Sequence, residues 1–350
     1  MCNLIEINVE DREKWNETVR SFEDYEVFYL NEYVSAFKNE SRKNGEPILL
    51  YYERDMDRAI NVVFKRDIAE DELFEGKIEK NAYFDLISPY GYGGFWGVVE
   101  DYAALQNSYN QYCIDNNYIC EFVRFELFSE YNKHYDGEVE SRTHNVVRSL
   151  TMPMEELWMD FKQKVRKNVK RANSLNLQVI FDNTGEYLQE FLKIYYGTME
   201  RNDADKQFYF SKEFFMEINK MKDNIMYVHV ALPNEEGKVK IISTELVLYG
   251  AKNGYSYLGG TSRDYFEYRP NDLLKYEIIK WAKEKGLENF VLGGGYGGDD
   301  GIFQYKTALA PNGIVDFYIG RKIFDKELYN RFCQIRGIEQ SSFFPAYRSK

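Results

Sequence analysis

The stretch 292–301 holds the strongest chemical signal in the chain. Six of its ten residues are glycine, and two carboxylates, Asp299 and Asp300, stand near its end. It follows the short apolar run 289–292, which predicts a buried strand. Because glycine loses more backbone entropy on folding than any other residue, such a cluster indicates a sharp turn or a close approach to a ligand.

Two other interpretations of this cluster have to be weighed. Gly293, Gly295 and Gly298 satisfy the G-x-G-x-x-G pattern of dinucleotide-binding turns, but any glycine-dense stretch does so by accident. That mechanism needs a long helix whose first amides bind pyrophosphate. Here two carboxylates follow and Pro311 ends any helix early, so we reject a dinucleotide. The plain alternative is a tight turn that binds nothing.

A run of cations marks a second candidate binding element. A helix predicted over 154–173 has an apolar stripe that includes Val165 and Val169. Its cations are Lys162, Lys164, Arg166, Lys167, Lys170 and Arg171. On a chain of net charge −12, this patch favours a phosphate-bearing ligand, although a solvated helix surface explains about half of these residues. We assign Lys164 and Arg166 to binding.

Composition excludes several classes of protein. With 350 residues and 44% apolar content, the chain is long enough for two domains with buried cores. The net charge of −12 argues against general nucleic-acid binding and against DNA as a partner. Scattered cysteines and histidines predict neither a metal site nor a disulfide scaffold. The chain start lacks a signal-peptide pattern, and no apolar run could span a membrane, so we expect a cytoplasmic protein.

Both halves of the chain repeat one order of predicted elements: three strands, a glycine-bearing loop, a helix and a further strand. In the first half these are predicted at 47–53, 59–65, 83–87, 88–97, 101–116 and 120–127. In the second half the strands and helix are predicted at 225–232, 239–249, 254–259, 271–285 and 289–292. We therefore predict two tandem domains, 1–145 and 146–350, with a boundary in the polar stretch near 138–148.

This order of elements resembles that of the GNAT acyltransferase fold. Short sequence words follow the order found in FemAB-like proteins: 164–172 (KVRKNVKRA), 195–202 (YYGTMERN), 257–260 (YLGG), 268–271 (YRPN), 281–286 (WAKEKG) and 303–306 (FQYK). The word SPYGYGG at 88–94 extends the resemblance into the first half. The chain therefore resembles the FemAB-like branch of the GNAT superfamily.

The resemblance implies a fold and an activity. The fold is α/β (α+β), with two tandem GNAT-like domains, each a mixed, mostly antiparallel sheet flanked by helices, and the chemistry in the second. FemAB-type enzymes take an aminoacyl group from tRNA and place it on an amine of a peptidoglycan precursor. Related branches use acyl-CoA, with amino sugars or peptides as acceptors.

The chain departs from the family pattern in two places. It has no long heptad segment of the kind that forms the coiled-coil arm of bridge-forming Fem enzymes. Where GNATs carry the pyrophosphate loop R/Q-x-x-G-x-G/A, this chain has YRPNDL at 268–273, and Pro270 and Asp272 disfavour an amide cradle. The first departure argues against tRNA-dependent bridge synthesis, and the second against ordinary acetyl-CoA binding.

Acyl transfer to an amine needs a neutral amine, a polarised donor carbonyl and a proton for the leaving group. We predict that Glu245, inside an apolar strand, acts as base and that Asp300 orients the amine. Tyr305 would protonate the leaving group, and Lys306 would hold a phosphate or the donor ester. Each of the four has a structural alternative. Glu245 could be a strand residue turned away from the cleft, and Asp300 a turn carboxylate. Tyr305 could be a packed ring and Lys306 a surface lysine.

The predicted donor and substrate contacts come from three kinds of residue. Glycines in the strands and loops would let the donor lie against backbone, cations would bind phosphate, and tyrosines would stack a sugar or base. The residues are Gly259, Gly260, Gly293, Gly294, Gly295, Lys164, Arg166, Arg201, Arg269, Tyr90 and Tyr92. A bulge or splay between the strands ending at Gly259 and Gly293 would expose backbone amides to the donor carbonyl.

The main functional prediction is a cytoplasmic N-acyltransferase that moves an acyl group from acyl-CoA to an amine of a cell-envelope sugar or peptide precursor. The acceptor would be a small molecule or a lipid- or nucleotide-linked saccharide or peptide. One alternative is an aminoacyl-tRNA-dependent enzyme that acts on a peptidoglycan precursor, with tRNA as donor carrier. A second is a non-catalytic protein that binds a saccharide or peptide. No tightly bound cofactor is expected.

Overall fold

The computed structural model describes residues 4–38, 40, 45–233, 239–295, 300–338 and 341–349. The chain forms two compact units, the first made of Met1–Arg142 with Phe317–Lys350 and the second of Thr143–Asp316. In each unit a mixed, largely antiparallel sheet is flanked by helices, which confirms the predicted fold class.

The first unit is built on a sheet with the strand order β1-β2-β3-β4-β6-β13, and β5 pairs with β3. Its strands are β1 (Leu4–Asn8), β2 (Glu46–Arg54), β3 (Asp57–Asp67), β4 (Phe84–Ile87), β5 (Trp96–Val98), β6 (Tyr118–Arg124) and β13 (Ile314–Ile323). Its helices are α1 (Arg12–Arg20), α2 (Asn31–Ser35), α3 (Tyr102–Asp115), α4 (Tyr131–His134) and α11 (Lys326–Arg336). β4 and β6 pair in parallel, and the other pairings described in this unit are antiparallel.

The second unit has the strand order β7-β12-β11-β10-β9-β8. Its strands are β7 (Glu138–Ser149), β8 (Gln178–Asp182), β9 (Ile225–Pro233), β10 (Val239–Tyr249), β11 (Asn253–Thr261) and β12 (Asn289–Gly293). Its helices are α5 (Met154–Asp160), α6 (Gln163–Asn173), α7 (Leu188–Arg201), α8 (Lys212–Ile218), α9 (Pro270–Glu284) and α10 (Gly301–Leu309). β11 and β12 run parallel, whereas the other pairings described here are antiparallel.

The core of the second unit lies between the sheet and the apolar faces of α6 and α9. Val165 and Val169 of α6 are buried in the same cluster as Ile278 of α9 and Phe290 of β12. This arrangement follows from the apolar stripe that the sequence places on α6. The exposed cations Lys167, Lys170 and Arg171 lie on the remaining surface of α6.

One predicted helix is divided in two. The prediction placed a single helix over 154–173, but Phe161 and Lys162 have extended backbone, with ψ of 140° and 145°. The Lys162 amide donates to the Ala308 carbonyl at 2.9 Å instead of continuing the helix. The chain therefore turns between α5 and α6 while Phe161 stays buried in the core. The stretch near 138–148, predicted as a boundary, is strand β7.

The C-terminal segment belongs to the first unit, whereas the sequence placed 146–350 in the second domain. Phe332 of α11 and Tyr347 pack with Phe74 and Ile119 in a cluster of the first unit. The apolar stripe of a terminal helix predicts that one face of the helix is buried. It does not indicate which unit that face packs against. No described helix is both long and apolar enough to cross a membrane.

Candidate active site

A gap opens in the sheet of the second unit between β11 and β12. The parallel ladder ends at the pair Tyr255–Val291, but β11 continues to Thr261. A bulge against β10 adds a twist at Tyr257. This confirms the splay that the sequence predicted between the strands leading to Gly259 and Gly293.

A cavity of about 490 Å³, called here the splay cavity, lies beside this part of β11. Its walls come from the end of α7, β10, residues 256–261 of β11, the segment that leads into α9, the start of α9, and α10. It brings together seven of the predicted site residues: Arg201, Glu245, Gly259, Gly260, Arg269, Tyr305 and Lys306. The cavity therefore collects most of the residues that the second half of the sequence singled out.

Two glycines of the cavity wall are required by packing within the protein. A Cβ atom on Gly260 would lie 2.2 Å from Thr198 Oγ1 of α7, and one on Gly259 would lie 2.6 Å from the Thr244 carbonyl oxygen. The prediction was that these glycines leave room for a donor. The structure gives a different reason, because they let β11 approach α7 and β10 closely.

Glu245 projects from β10 into the splay cavity as half of a buried ion pair. Its Oε2 contacts Lys275 Nζ of α9, and Lys275 also donates to Ser256 Oγ at 2.5 Å. Glu245 and Lys275 are only 4% and 6% exposed. Glu245 Oε1 is buried and has no hydrogen-bond partner among the described residues. A buried carboxylate oxygen in this state is an acceptor available to a ligand.

Lys306 enters the same cavity from α10. Its Nζ donates to the Gly294 carbonyl at 2.6 Å, and Gly293, with φ of +81°, leaves space beside it. Burial, followed by the charge of Lys275, lowers the pKa of Lys306 to about 8, against the opposing effect of Glu245 and Asp300. A cation so placed can polarise a carbonyl oxygen and can give up a proton near neutral pH.

Tyr305 also lines the cavity, and its hydroxyl donates to the Asn271 carbonyl at 3.4 Å. Burial, together with the charges of Asp272 and Glu245, raises the pKa of Tyr305 well above its usual value. Tyr305 therefore remains a neutral phenol that donates a hydrogen bond.

A second cavity of about 550 Å³, called here the basic cavity, adjoins the first. The two share Arg269, Asp272, Gly301 and Tyr305 in their walls. Lys162 and Lys164 add two further cations. Asp272 is the acidic residue of this wall, and burial raises its pKa to about 6 although Asn168, Arg269 and Lys164 act in the opposite direction.

Other predicted residues occupy less central positions. Arg201 lies at the cavity wall, where its guanidinium stacks 5.1 Å over the ring of Phe266. Arg166 donates instead to the Met159 carbonyl at 2.7 Å, at the end of α5. Asp300 accepts from the Phe303 amide at 2.9 Å and so caps α10, which is the structural alternative for this residue.

The remaining predictions fall outside the two cavities. Gly293 and Gly294 border Lys306, and neither they nor Gly295 line the two cavity walls as described. Tyr90 and Tyr92 belong to the first unit, where Tyr90 contacts Phe37 and Tyr92 contacts Phe28. Residues 296–299 of the glycine cluster, including Asp299, lie outside the described residues.

Sequence analysis missed Lys275, which the structure places beside Glu245. A signal for it existed, since Lys275 lies three, four and seven positions before Ile278, Ile279 and Ala282, all on the buried face of α9. A lysine in phase with such a stripe has to be buried and therefore needs an anionic partner. That partner could not be named without the fold.

Part of the second unit matches a known domain family. Residues 159–307 match the family described as "Acetyltransferase (GNAT) domain". Over 101 residues, the chain is 29% identical to the lipid II:glycine glycyltransferase of Staphylococcus haemolyticus, which covers 28% of this chain and 24% of that protein. The match thus spans about a quarter of that relative's length.

Solved structures share the fold over nearly the whole chain. The crystal structure of FemX superposes with a TM-score of 0.68 and 13% identity, covering 93% of this chain and 99% of that one. The structure of L-PGS from Bacillus licheniformis gives a TM-score of 0.55 and 12% identity, covering 96% and 99%. At these identities the likeness concerns the fold alone.

The residues that line the splay cavity therefore all lie within the range that matches the GNAT domain family. These matches support the resemblance to the FemAB-like branch of the GNAT superfamily that the sequence words indicated.

Proposed function

We propose that this chain transfers an aminoacyl group from aminoacyl-tRNA to an amine of a lipid-linked peptidoglycan precursor. The observation that carries the proposal is the free, buried Oε1 of Glu245 beside Lys275 and Lys306 in the splay cavity. The similarity to a lipid II:glycine glycyltransferase supports a lipid II acceptor and an aminoacyl group. The tRNA carrier is what the resemblance to FemAB-type enzymes implies. This was the first alternative from the sequence, and the comparisons favour it over acyl-CoA.

The residues of the splay cavity can perform each step of this transfer. The acceptor nitrogen attacks the ester carbonyl, and Glu245 Oε1 takes the proton that the nitrogen loses. The ammonium of Lys306 stabilises the negative charge that develops on the carbonyl oxygen. As the new C–N bond forms, the ester C–O bond breaks, and the ribose oxygen of the tRNA leaves with a proton. Glu245 is the source of that proton and so returns to its starting state.

The start of α9 supports a donor other than acyl-CoA. Pro270 occupies the first helical position and has no amide proton to offer a pyrophosphate. Two positions later the carboxyl group of Asp272 is buried in the cavity wall. A carboxylate at this point repels a pyrophosphate.

The test is a transfer assay with purified protein, a lipid II acceptor and a panel of radiolabelled aminoacyl-tRNAs, with acetyl-CoA as the competing donor. We expect a labelled lipid product from at least one aminoacyl-tRNA and none from acetyl-CoA. Glu245→Gln should lower the rate by about 10²-fold or more, because it removes the proton acceptor. Glu190→Gln, an exposed change on α7, is the matched control and should keep the wild-type rate.

The other outcomes are equally informative. Transfer from acetyl-CoA without transfer from any aminoacyl-tRNA would return the enzyme to the acyl-CoA class. Binding of lipid II without turnover from either donor would favour the binding protein over the enzyme.

A further inference from the structure

We propose that the surface formed by α5 and the C-terminal half of α6 docks on an anionic phospholipid membrane. This inference rests on the proposed function in one respect, because a lipid-linked acceptor lies in a membrane and the enzyme has to reach it there. It also gives a role to the exposed cations of α6, which the transfer chemistry leaves unexplained.

A groove of about 490 Å³, called here the α5 groove, lies between α5, α6 and α9. Apolar and aromatic side chains make up most of its lining: Met154, Trp158, Met159, Val169 and Tyr276. Met159 is 65% exposed, although methionine is among the residues most often buried. Contiguous apolar side chains at a surface are typical of a site that binds a partner.

Two aromatic rings form a fixed part of the α5 groove. The rings of Trp158 and Tyr276 meet edge to face, with their centroids 5.2 Å apart. Both also pack against the buried ring of Phe161, at 6.1 and 6.3 Å. Tryptophan and tyrosine are enriched where a membrane meets water, because each has an apolar body and a polar tip. The groove therefore has the side-chain chemistry of that interface.

Cations of α6 border the α5 groove. Lys170 lines it directly, and Lys167 precedes Lys170 by about one helical turn on the same side of α6. Lys167, Lys170 and Arg171 are all exposed, so their charges can reach a surface beyond the helix while their stems lie along it. On a chain of net charge −12, cations beside an apolar groove match an anionic lipid surface.

The apolar side chains distinguish this surface from a nucleic-acid site. The phosphates of a nucleic acid are attracted by lysines, but an exposed methionine such as Met159 adds nothing to that attraction. A membrane binds both kinds of side chain, since cations attract anionic headgroups while apolar side chains insert at the boundary of the acyl chains. Glu155, the acidic residue in the groove lining, opposes the attraction.

The α5 groove lies close to the candidate active site. Lys164 lines the basic cavity and Lys170 lines the groove, and the rise of an α-helix puts the two about 9 Å apart along its axis. The basic cavity in turn shares Tyr305 with the splay cavity. A membrane on the groove therefore brings the lipid headgroups near both cavities, and the sugar and peptide of a lipid-linked acceptor can extend from there toward Glu245.

The experiment measures co-sedimentation of the full chain with vesicles of phosphatidylcholine, alone or mixed in equal parts with phosphatidylglycerol. The wild type should bind the mixed vesicles, lose affinity as salt rises, and stay in solution with pure phosphatidylcholine. Lys167→Gln combined with Lys170→Gln should weaken binding about 30-fold, and Met159→Gln about tenfold. Glu155→Gln should tighten binding about fivefold, because it removes a charge that repels the lipid.

The matched control is Lys212→Gln combined with Met216→Gln on α8. Both side chains are exposed in the same unit, Met216 to 55%, and neither lines the α5 groove. This variant should bind the mixed vesicles as tightly as the wild type does.

The docking surface is overturned if the wild type does not sediment with the mixed vesicles, or if the groove variants bind them as tightly as the α8 control. A loss confined to the lysine variant, with Met159→Gln unchanged, would also overturn it, because charge alone would then explain the binding. If the variants weaken binding of a deacylated tRNA and not of vesicles, α6 binds nucleic acid instead.

Vesicle binding and aminoacyl transfer can fail independently. Sedimentation needs no turnover, so a failure of the transfer assay leaves the membrane result intact. Transfer to lipid II solubilised in detergent needs no membrane, so an absence of vesicle binding would leave the proposed activity intact.

Discussion

At the residue scale, the buried pair of Glu245 and Lys275 sets both the chemistry and the stability of the site. Removing one member of a buried ion pair leaves the other charge without compensation, at a cost of about 3 kcal/mol or more. We predict that Lys275→Met lowers the free energy of unfolding by about that amount at pH 7.5. Urea unfolding followed by circular dichroism measures it.

A double variant measures how far the stabilising effects of Glu245 and Lys275 depend on each other. Glu245→Gln combined with Lys275→Met removes both charges of the pair, so it should regain most of the stability that Lys275→Met loses. Turnover should stay absent in the double variant, because the proton acceptor is still missing. Stability losses that simply add would show that the two side chains do not depend on each other.

Lys306 gives a second prediction at this scale, through its pKa of about 8. Below pH 8 the folded protein keeps the Lys306 ammonium buried and charged, which lowers the free energy of unfolding. This cost shrinks between pH 8 and the usual lysine pKa of about 10.4, because the folded state releases its proton before the unfolded state does. Lys306→Met should therefore be more stable than the wild type by about 2 kcal/mol at pH 7, with the difference shrinking up to pH 10. Its turnover should be abolished.

The measurement is urea unfolding of both proteins from pH 7 to pH 10. Lys212→Met removes an exposed lysine of the same unit and should show no such pH-dependent difference. A constant difference between Lys306→Met and the wild type would mean that the Lys306 amine titrates normally. Full turnover in Lys306→Met would remove this residue from the site.

At the element scale, close contact between α7 and β11 shapes the wall of the splay cavity. Because a Cβ atom on Gly260 would meet Thr198 Oγ1 at 2.2 Å and the Ile194 carbonyl oxygen at 3.0 Å, Gly260→Ala has to push the helix outward. We predict a loss of about 2 kcal/mol in the free energy of unfolding. Thermal unfolding of the single variants and of Gly260→Ala combined with Thr198→Ala tests this.

The double variant should recover part of the loss, since it removes the hydroxyl and keeps the contact with the Ile194 carbonyl. Gly286→Ala is a useful comparison: a Cβ atom there meets no neighbour within 4 Å, so its cost comes only from φ of +89°. If Gly260→Ala is no more destabilising than Gly286→Ala, packing against α7 is not the reason for this glycine.

Most elements of the second unit could be predicted from local signals, and the exceptions have a common cause. The strands β9 to β12 and helix α9 were predicted because their patterns are periodic and their ends carry signals such as Gly286. The break at Lys162 and the strand β7 depend on partners distant in sequence, such as Ala308 and β12. The periodicity of apolar residues within one segment gives no information about partners that are distant in sequence.

The residues of the candidate site also divide into those that local sequence signals predicted and those that only the fold shows. Glu245 and Lys306 were predicted, because a carboxylate in an apolar strand and a lysine behind a glycine cluster are locally unusual. Lys275 was missed, since its burial depends on the sheet that α9 covers. Asp272 was noticed only as a departure from a family loop, and its place in the basic cavity follows from the fold of α6 against α9.

At the scale of the whole molecule, the C-terminal segment holds the first unit together. Asp85 of β4 is fully buried and accepts hydrogen bonds from Arg66 at 2.6 Å, Tyr347 at 2.9 Å and Arg348 at 2.6 Å. Burial alone would raise the pKa of Asp85, but Arg66 and Arg348 outweigh it and hold the pKa below its usual value. Residues more than 260 positions apart in the sequence therefore share one buried charge cluster.

Arg348→Met should destabilise the first unit by about 3 kcal/mol at neutral pH, because Asp85 loses one of its two compensating cations. A depressed carboxyl pKa stabilises the folded state above the usual pKa and loses this effect as pH falls through the folded value, so the difference from the wild type should shrink in acid.

Hydrogen exchange by mass spectrometry at pH 7 should show lost protection in β4 and β6, with β10 and β11 unchanged. Lys326→Met, an exposed change on α11, should leave all four strands protected. Equal loss in β10 and β11 would mean that the two units unfold as one, and the C-terminal segment would then stabilise the entire chain.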